Sequence, residues 1–135
     1  MPSLFPADQY VAYYLEHLRR GRAEDAFFGL IDADPAVLPV LMDAFAREEN
    51  RGICADIVRC IWQHRRPEAL GFLADLLHDP DPAVWQEALD GLVALGGDEA
   101  VGSLQAARTR ILAKRVGQSV AVQWIDEALE QLGSA

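Results

Sequence analysis

Strand signals are nearly missing from this chain, and so are the residue groupings that most often carry catalysis. No run of about 18 apolar residues exists to cross a bilayer as a helix. The three histidines, His17, His64 and His78, lie far apart, with no HExxH spacing and no His-Glu dipeptide. Ser3, Ser103, Ser119 and Ser134 have no nucleophile-elbow context, none standing in a full Gly-x-Ser-x-Gly pattern. The glycines are scattered, so no phosphate-cradling loop is visible. Basic residues are missing from a long central stretch: between Pro67 and Ala107 there is no Lys or Arg, against eight acids. Each absence removes a reading, and together they turn attention from chemistry to surface.

Cysteine is scarce as well. Cys54 and Cys60 are the two present. Six residues along one helix place them roughly 240° apart around its axis, too far to bridge each other, so they read as reduced, packed thiols. The opening Met1-Pro2-Ser3-Leu4-Phe5-Pro6 has no basic flank and no apolar stretch of signal-peptide length, which points to the cytoplasm. With 135 residues, of which 51% are hydrophobic, the chain is expected to form a single domain, 1–135, with a sizeable core.

The formal charge of −9 argues against a protein that tracks nucleic-acid phosphates. Positive charge is confined to short clusters: Arg19, Arg20 and Arg22; Arg65 and Arg66; then Arg108, Arg110, Lys114 and Arg115. An acidic middle can steer a basic partner, or it can simply keep helix faces solvated.

What the chain does have is a repeated phrase. Glu68-Ala69-Leu70-Gly71-Phe72-Leu73 is echoed 31 residues later by Glu99-Ala100-Val101-Gly102-Ser103-Leu104. A period in this range signals stacked helical units. Apolar residues recur every three or four positions, interrupted by Asp, Pro and Gly. One helix is expected from Pro67 to about His78, with Leu70, Leu73, Leu76 and Leu77 as its stripe. Asp79-Pro80-Asp81-Pro82 breaks it and caps a second helix, Pro82 to Leu95, which Gly96-Gly97 closes. Flanking pairs follow the same plan: Pro35 to Glu48 with Arg51 to His64, and Asp98 to about Arg108 with Ser119 to Leu132. A less regular pair, Asp8 to Arg20 with Ala23 to Ile31, precedes them. Repeats are thus expected at about 8–33, 35–65, 66–96 and 97–133. Pro39 should sit harmlessly in a first turn. The basic stretch 108–115 reads as an extension of its helix, with a loop touching a phosphate or an acidic protein as the alternative.

These words resemble the HEAT-like repeat, in its short bacterial form also found in phycobilisome-lyase relatives. The residues that carry the likeness are Pro67-Glu68-Ala69-Leu70, Leu73, Leu77, Asp79-Pro80-Asp81, Val84, Glu87-Ala88-Leu89, Leu92 and Leu95-Gly96. Asp98-Glu99-Ala100-Val101, Leu104, Glu127-Ala128-Leu129 and Leu132-Gly133 repeat them. The resemblance implies an all-α solenoid of about four antiparallel helix pairs in a right-handed superhelical stack, with second helices lining the inner surface. It also implies an Arg after the valine of each second helix, paired with loop aspartates. Trp85 and Cys54 stand there instead, so apolar packing is expected to replace that ladder.

Helical wheels for the second helices sort their faces. Ile53, Cys54, Ile57, Val58 and Ile61 turn inward, as do Val84, Trp85, Ala88, Leu89, Leu92 and Leu95. In the last helix Trp124, Ile125, Ala128, Leu129 and Leu132 do the same. Outward lie Asp56, Arg59, Gln63, Gln86, Glu87, Asp90, Gln123, Asp126, Glu127 and Glu130, a face with six acids and one Arg. Trp85 and Trp124 are expected in the core, while Trp62, at the edge of its arc, is expected to be partly exposed. His78-Asp79-Pro80-Asp81 and Asp32-Ala33-Asp34 read as turn caps, not metal ligands.

The expected function is therefore non-catalytic docking of another protein, one with a basic surface, as a scaffold or as an inhibitor or immunity-type binder. No cofactor, metal, nucleic acid or membrane is expected, and the state is monomer or weak homodimer through the final helix. The resemblance offers an alternative: an accessory or lyase subunit handling a tetrapyrrole near Trp62 and Arg59. Nucleic-acid binding, known for HEAT-like glycosylases with basic grooves, is a third class that the acidic face disfavours.

Overall fold

The computed structural model of the chain describes residues 6–114 and 119–133. It contains α1 (Ala7–Arg19), α2 (Ala23–Ile31), α3 (Val37–Arg47), α4 (Arg51–Trp62), α5 (Leu70–Asp75), α6 (Pro82–Leu95), α7 (Gly97–Lys114) and α8 (Ser119–Gln131). Single 3-10 turns, Pro67–Ala69 and Leu76–His78, flank α5. No strand occurs among the described residues.

Local chemistry sets the breaks. Asn50 caps α4 by accepting from the Ile53 N–H at 3.1 Å, and Asp81 caps α6 by accepting from the Ala83 N–H at 3.0 Å. Pro82 fills the first turn of α6, where its missing N–H costs nothing. The helix ends at Gly96, whose φ of 64° and ψ of −165° suit only a residue without a side chain. Pro39 falls in the first turn of α3, as the sequence predicts. At 108–114 the helical alternative holds: α7 runs unbroken through the basic stretch, while Arg115 lies outside the described residues.

Consecutive helices pack as hairpins, α1 on α2, α3 on α4, α5 on α6 and α7 on α8. The second helices then contact each other in succession, α2 to α4 to α6 to α8. First helices join through α1–α3 and α5–α7 contacts, and through the edge-on rings of Phe45 and Phe72 at 5.4 Å. The result is an all-α solenoid with a continuous apolar spine. Ala69 and Leu73, and their echoes Ala100 and Leu104, are all fully buried, so the repeated phrase is a core phrase. Cys54, Ile57, Val58, Cys60, Ile61, Val84, Ala88 and Leu92 fill the middle. Among the described residues no polar or charged side chain is buried.

The packing of α4 on α6 depends on a glycine. A Cβ added to Gly91 would lie 2.6 Å from the Cβ of Trp62 and 2.8 Å from Leu73 Cδ1. Trp62 occupies the space that a side chain at 91 would need.

The expected loss of the Asp–Arg ladder is corrected in one half. Arg51, in the first turn of α4, reaches forward to Asp79 at 2.5 Å and Asp81 at 3.4 Å. A cation one turn before Cys54 therefore ties two repeats together, with its guanidinium 3.9 Å from Cys54 Sγ. At Trp85 the replacement by apolar packing does occur, since its ring lies 5.1 Å from that of Trp124.

Candidate functional site

The second helices enclose an open groove of ≈ 660 Å³ between α4, α6 and α8. Trp62 and Trp124 stand in its walls, with small residues Ala55, Ala83 and Ala128 between them. Gln86, Glu87, Asp90, Glu127 and Gln131 supply the polar lining. The small residues make room, and the helices themselves hold the carboxylates in place.

Glu87 is the most constrained of these groups. Its Oε1 accepts the indole N–H of Trp62 at 2.9 Å, and its Oε2 lies 4.0 Å from the Arg59 guanidinium. Arg59 in turn sits over the ring of Phe27, 5.3 Å from its centroid. Asp90 makes no hydrogen bond or ion pair among the described residues. Asp90 is exposed on one side, but partial desolvation by its helix neighbours pushes its pKa up; the Glu87 charge adds to this and Arg59 opposes it. Asp56 is raised for the same leading reason, burial, against the pull of Arg59. Glu127 receives a weak bond from Gln123 at 3.4 Å.

Five of the residues singled out in the sequence thus meet at one groove: Trp62, Gln86, Glu87, Asp90 and Glu127. Asp56 and Arg59 adjoin it through Glu87 electrostatics. Asp126 does not join them; it accepts from Arg108 of α7 at 2.7 Å, across its own hairpin. Gln63, Gln123 and Glu130 are not in the lining.

Trp124 departs from the sequence expectation. The wheel assigns it to the core with Trp85, yet both are only half-buried, and Trp124 forms part of the groove wall. Trp62 is half-buried, as its edge position predicts.

The remaining candidates have structural work. Asp79 Oδ1 accepts the Asp81 N–H at 2.8 Å, and Asp34 Oδ1 accepts the Ala36 N–H at 2.8 Å, so both Asp motifs serve their turns. His64 donates from Nε2 to the Leu30 carbonyl at 2.8 Å, linking the end of α4 back to α2. Arg110 donates to His78 Nε2 at 2.6 Å. Cys54 and Cys60 are free and buried; burial pushes the Cys60 thiol up to about 12, which keeps it from acting as a nucleophile near neutral pH. No group of three metal-ligating side chains occurs among the described residues.

Among the described residues, no helix is long and apolar enough to cross a membrane. No curated protein and no solved structure matches the chain. A family model described as HEAT repeats matches residues 38–121, from the start of α3 into the start of α8. That span covers more than half of the chain and holds the repeated core phrase, the Asp79–Asp81 turn and two of the three groove-forming helices, α4 and α6. The chain belongs to the HEAT repeats.

Proposed function

We propose that this protein binds another protein through the groove-bearing face of its second helices, without catalysis of its own. HEAT repeats are generally protein-interaction scaffolds, which supports the class of function. The observation that carries the finer reading is the convergence of Glu87, Asp90 and Glu127 with Trp62 and Trp124 on a single groove. Carboxylates there favour a basic partner and speed its approach, while half-buried indoles offer anchoring area. The whole chain acts as one domain of four repeats in the cytoplasm, as a monomer or weak homodimer, serving as a scaffold or as an inhibitor of its partner.

The test is affinity capture from the native cell with wild-type chain beside an Asp90→Lys/Glu127→Lys variant, followed by binding measurements on the purified partner. Capture that vanishes on charge reversal, with association that slows as salt rises, supports the reading. Equal capture by both chains removes it.

A further inference from the structure

The face that carries the groove already shows how it holds a cation. On its α2–α4 side the Arg59 guanidinium is held between an aromatic ring, Phe27 at 5.3 Å, and a carboxylate, Glu87 at 4.0 Å. The 31-residue repeat places Asp90 on α6 where α4 has Arg59. One step along the stack, then, a carboxylate stands where the first bay has its cation. Trp62 and Trp124 line that bay, Asp90 has no hydrogen bond or ion pair among the described residues, and no side chain there takes the part of Arg59. The first bay is neutralised from within the chain. The second is left to be neutralised from outside.

We propose that the groove seats one arginine side chain of the partner, its guanidinium on Asp90 and its flat face against the indoles of Trp62 and Trp124. This rests on the docking reading above and names the residue class that fills the groove. Arginine fits better than lysine because a planar guanidinium stacks on rings and meets a carboxylate through two parallel N–H bonds. A lysine ammonium is a more strongly hydrated point charge and gains less from two aromatic walls.

The experiment titrates the full chain with tetra-arginine amide, using tetra-lysine amide and tetra-citrulline amide as controls. The indole N–H resonances of the tryptophans report the position. Expected are shifts at Trp62 and Trp124 with tetra-arginine, weaker binding by tetra-lysine, and no response to citrulline, which keeps the shape without the charge. Asp90→Asn should weaken tetra-arginine binding roughly tenfold, while Glu99→Gln, on α7, should leave it unchanged; thermal unfolding checks that both variants fold. Unchanged binding by Asp90→Asn, tetra-lysine binding as tight as tetra-arginine, or shifts confined to Trp85 would each overturn the proposal. Partner capture that is lost in Asp90→Lys/Glu127→Lys but indifferent to Asp90→Asn sinks the arginine seat alone. Capture indifferent to the charge reversal sinks the docking reading itself.

Discussion

The indole N–H of Trp62 donates to Glu87 Oε1 at 2.9 Å, joining α4 to α6 at the rim of the groove. The same ring lies against Gly91, so one side chain both packs two repeats together and shapes the candidate site. Trp62→Phe keeps most of the packing and removes the donor. It should lower stability by about 1.5 kcal/mol, the scale of a hydrogen bond to a charged acceptor, as read from urea unfolding. Trp62→Ala also removes the packing and should cost on the order of 3 kcal/mol.

Three helix-interior glycines should respond to alanine with opposite signs. Gly71 and Gly102 have nothing within 4 Å of an added Cβ, so each substitution should stabilise by about 0.5–1 kcal/mol through helix propensity. At Gly91 the new methyl meets Trp62 Cβ at 2.6 Å. Overpacking of about 1–3 kcal/mol should outweigh the propensity gain there. Melting temperatures of the three single variants decide the matter; a stabilised Gly91→Ala would show that the α4–α6 contact is looser than described.

Arg51 bridges from α4 to both aspartates of the next turn, yet its side chain is 46% exposed. Solvent screening therefore limits its worth. Arg51→Met should cost about 0.5–1 kcal/mol at low salt and less at about 1 M salt. Asp81→Ala also loses the cap of α6 and should cost about 1 kcal/mol more. Denaturant curves for both variants at two ionic strengths check the order.

Protonation should affect fold and binding in opposite directions. Partial desolvation raises Asp90 and Asp56 above the ordinary aspartate range of about 4. A carboxyl with a raised folded-state pKa contributes most stability below its unfolded pKa, and loses that contribution as pH rises through the folded value. Acidification from neutrality thus relieves a destabilising charge in the fold. It also discharges the groove, so affinity for a basic partner should begin to fall at a higher pH than ordinary aspartates would allow. A pH series of binding by wild-type and Asp90→Asn chains tests this: the early part of the fall should be reduced in the variant.

Much of the fold was legible because its determinants are local. Leu73, Leu76 and Leu77 announce the buried stripe by spacing alone, although Ala69 takes the core place expected of Leu70, and Asp81-Pro82 with Gly96 marks both ends of α6. The groove was legible in part, since Glu87, Asp90 and Glu127 follow from helical wheels. What escaped depends on partners distant in sequence. Arg51 finds its carboxylates 28 and 30 residues on, and no local pattern selects it over other arginines. Asp126 shares the outward arc but is drawn across its hairpin by Arg108. Trp85 and Trp124 read as core on their own wheels, because a wheel cannot tell how much of an apolar arc the neighbouring helices cover. Gly91 gives no periodic signal; only the position of Trp62 reveals why a side chain is missing there.

The central claim is that the second-helix groove is the docking surface, and carboxyl footprinting of the chain alone and with its captured partner tests it most directly. The account predicts that Glu87, Asp90 and Glu127 become shielded from carbodiimide coupling in the complex, while the exposed Glu24, Asp43 and Glu99 react as before. Shielding confined to Glu24, Asp43 or Glu99, with the three groove carboxylates as reactive as in the free chain, would contradict it.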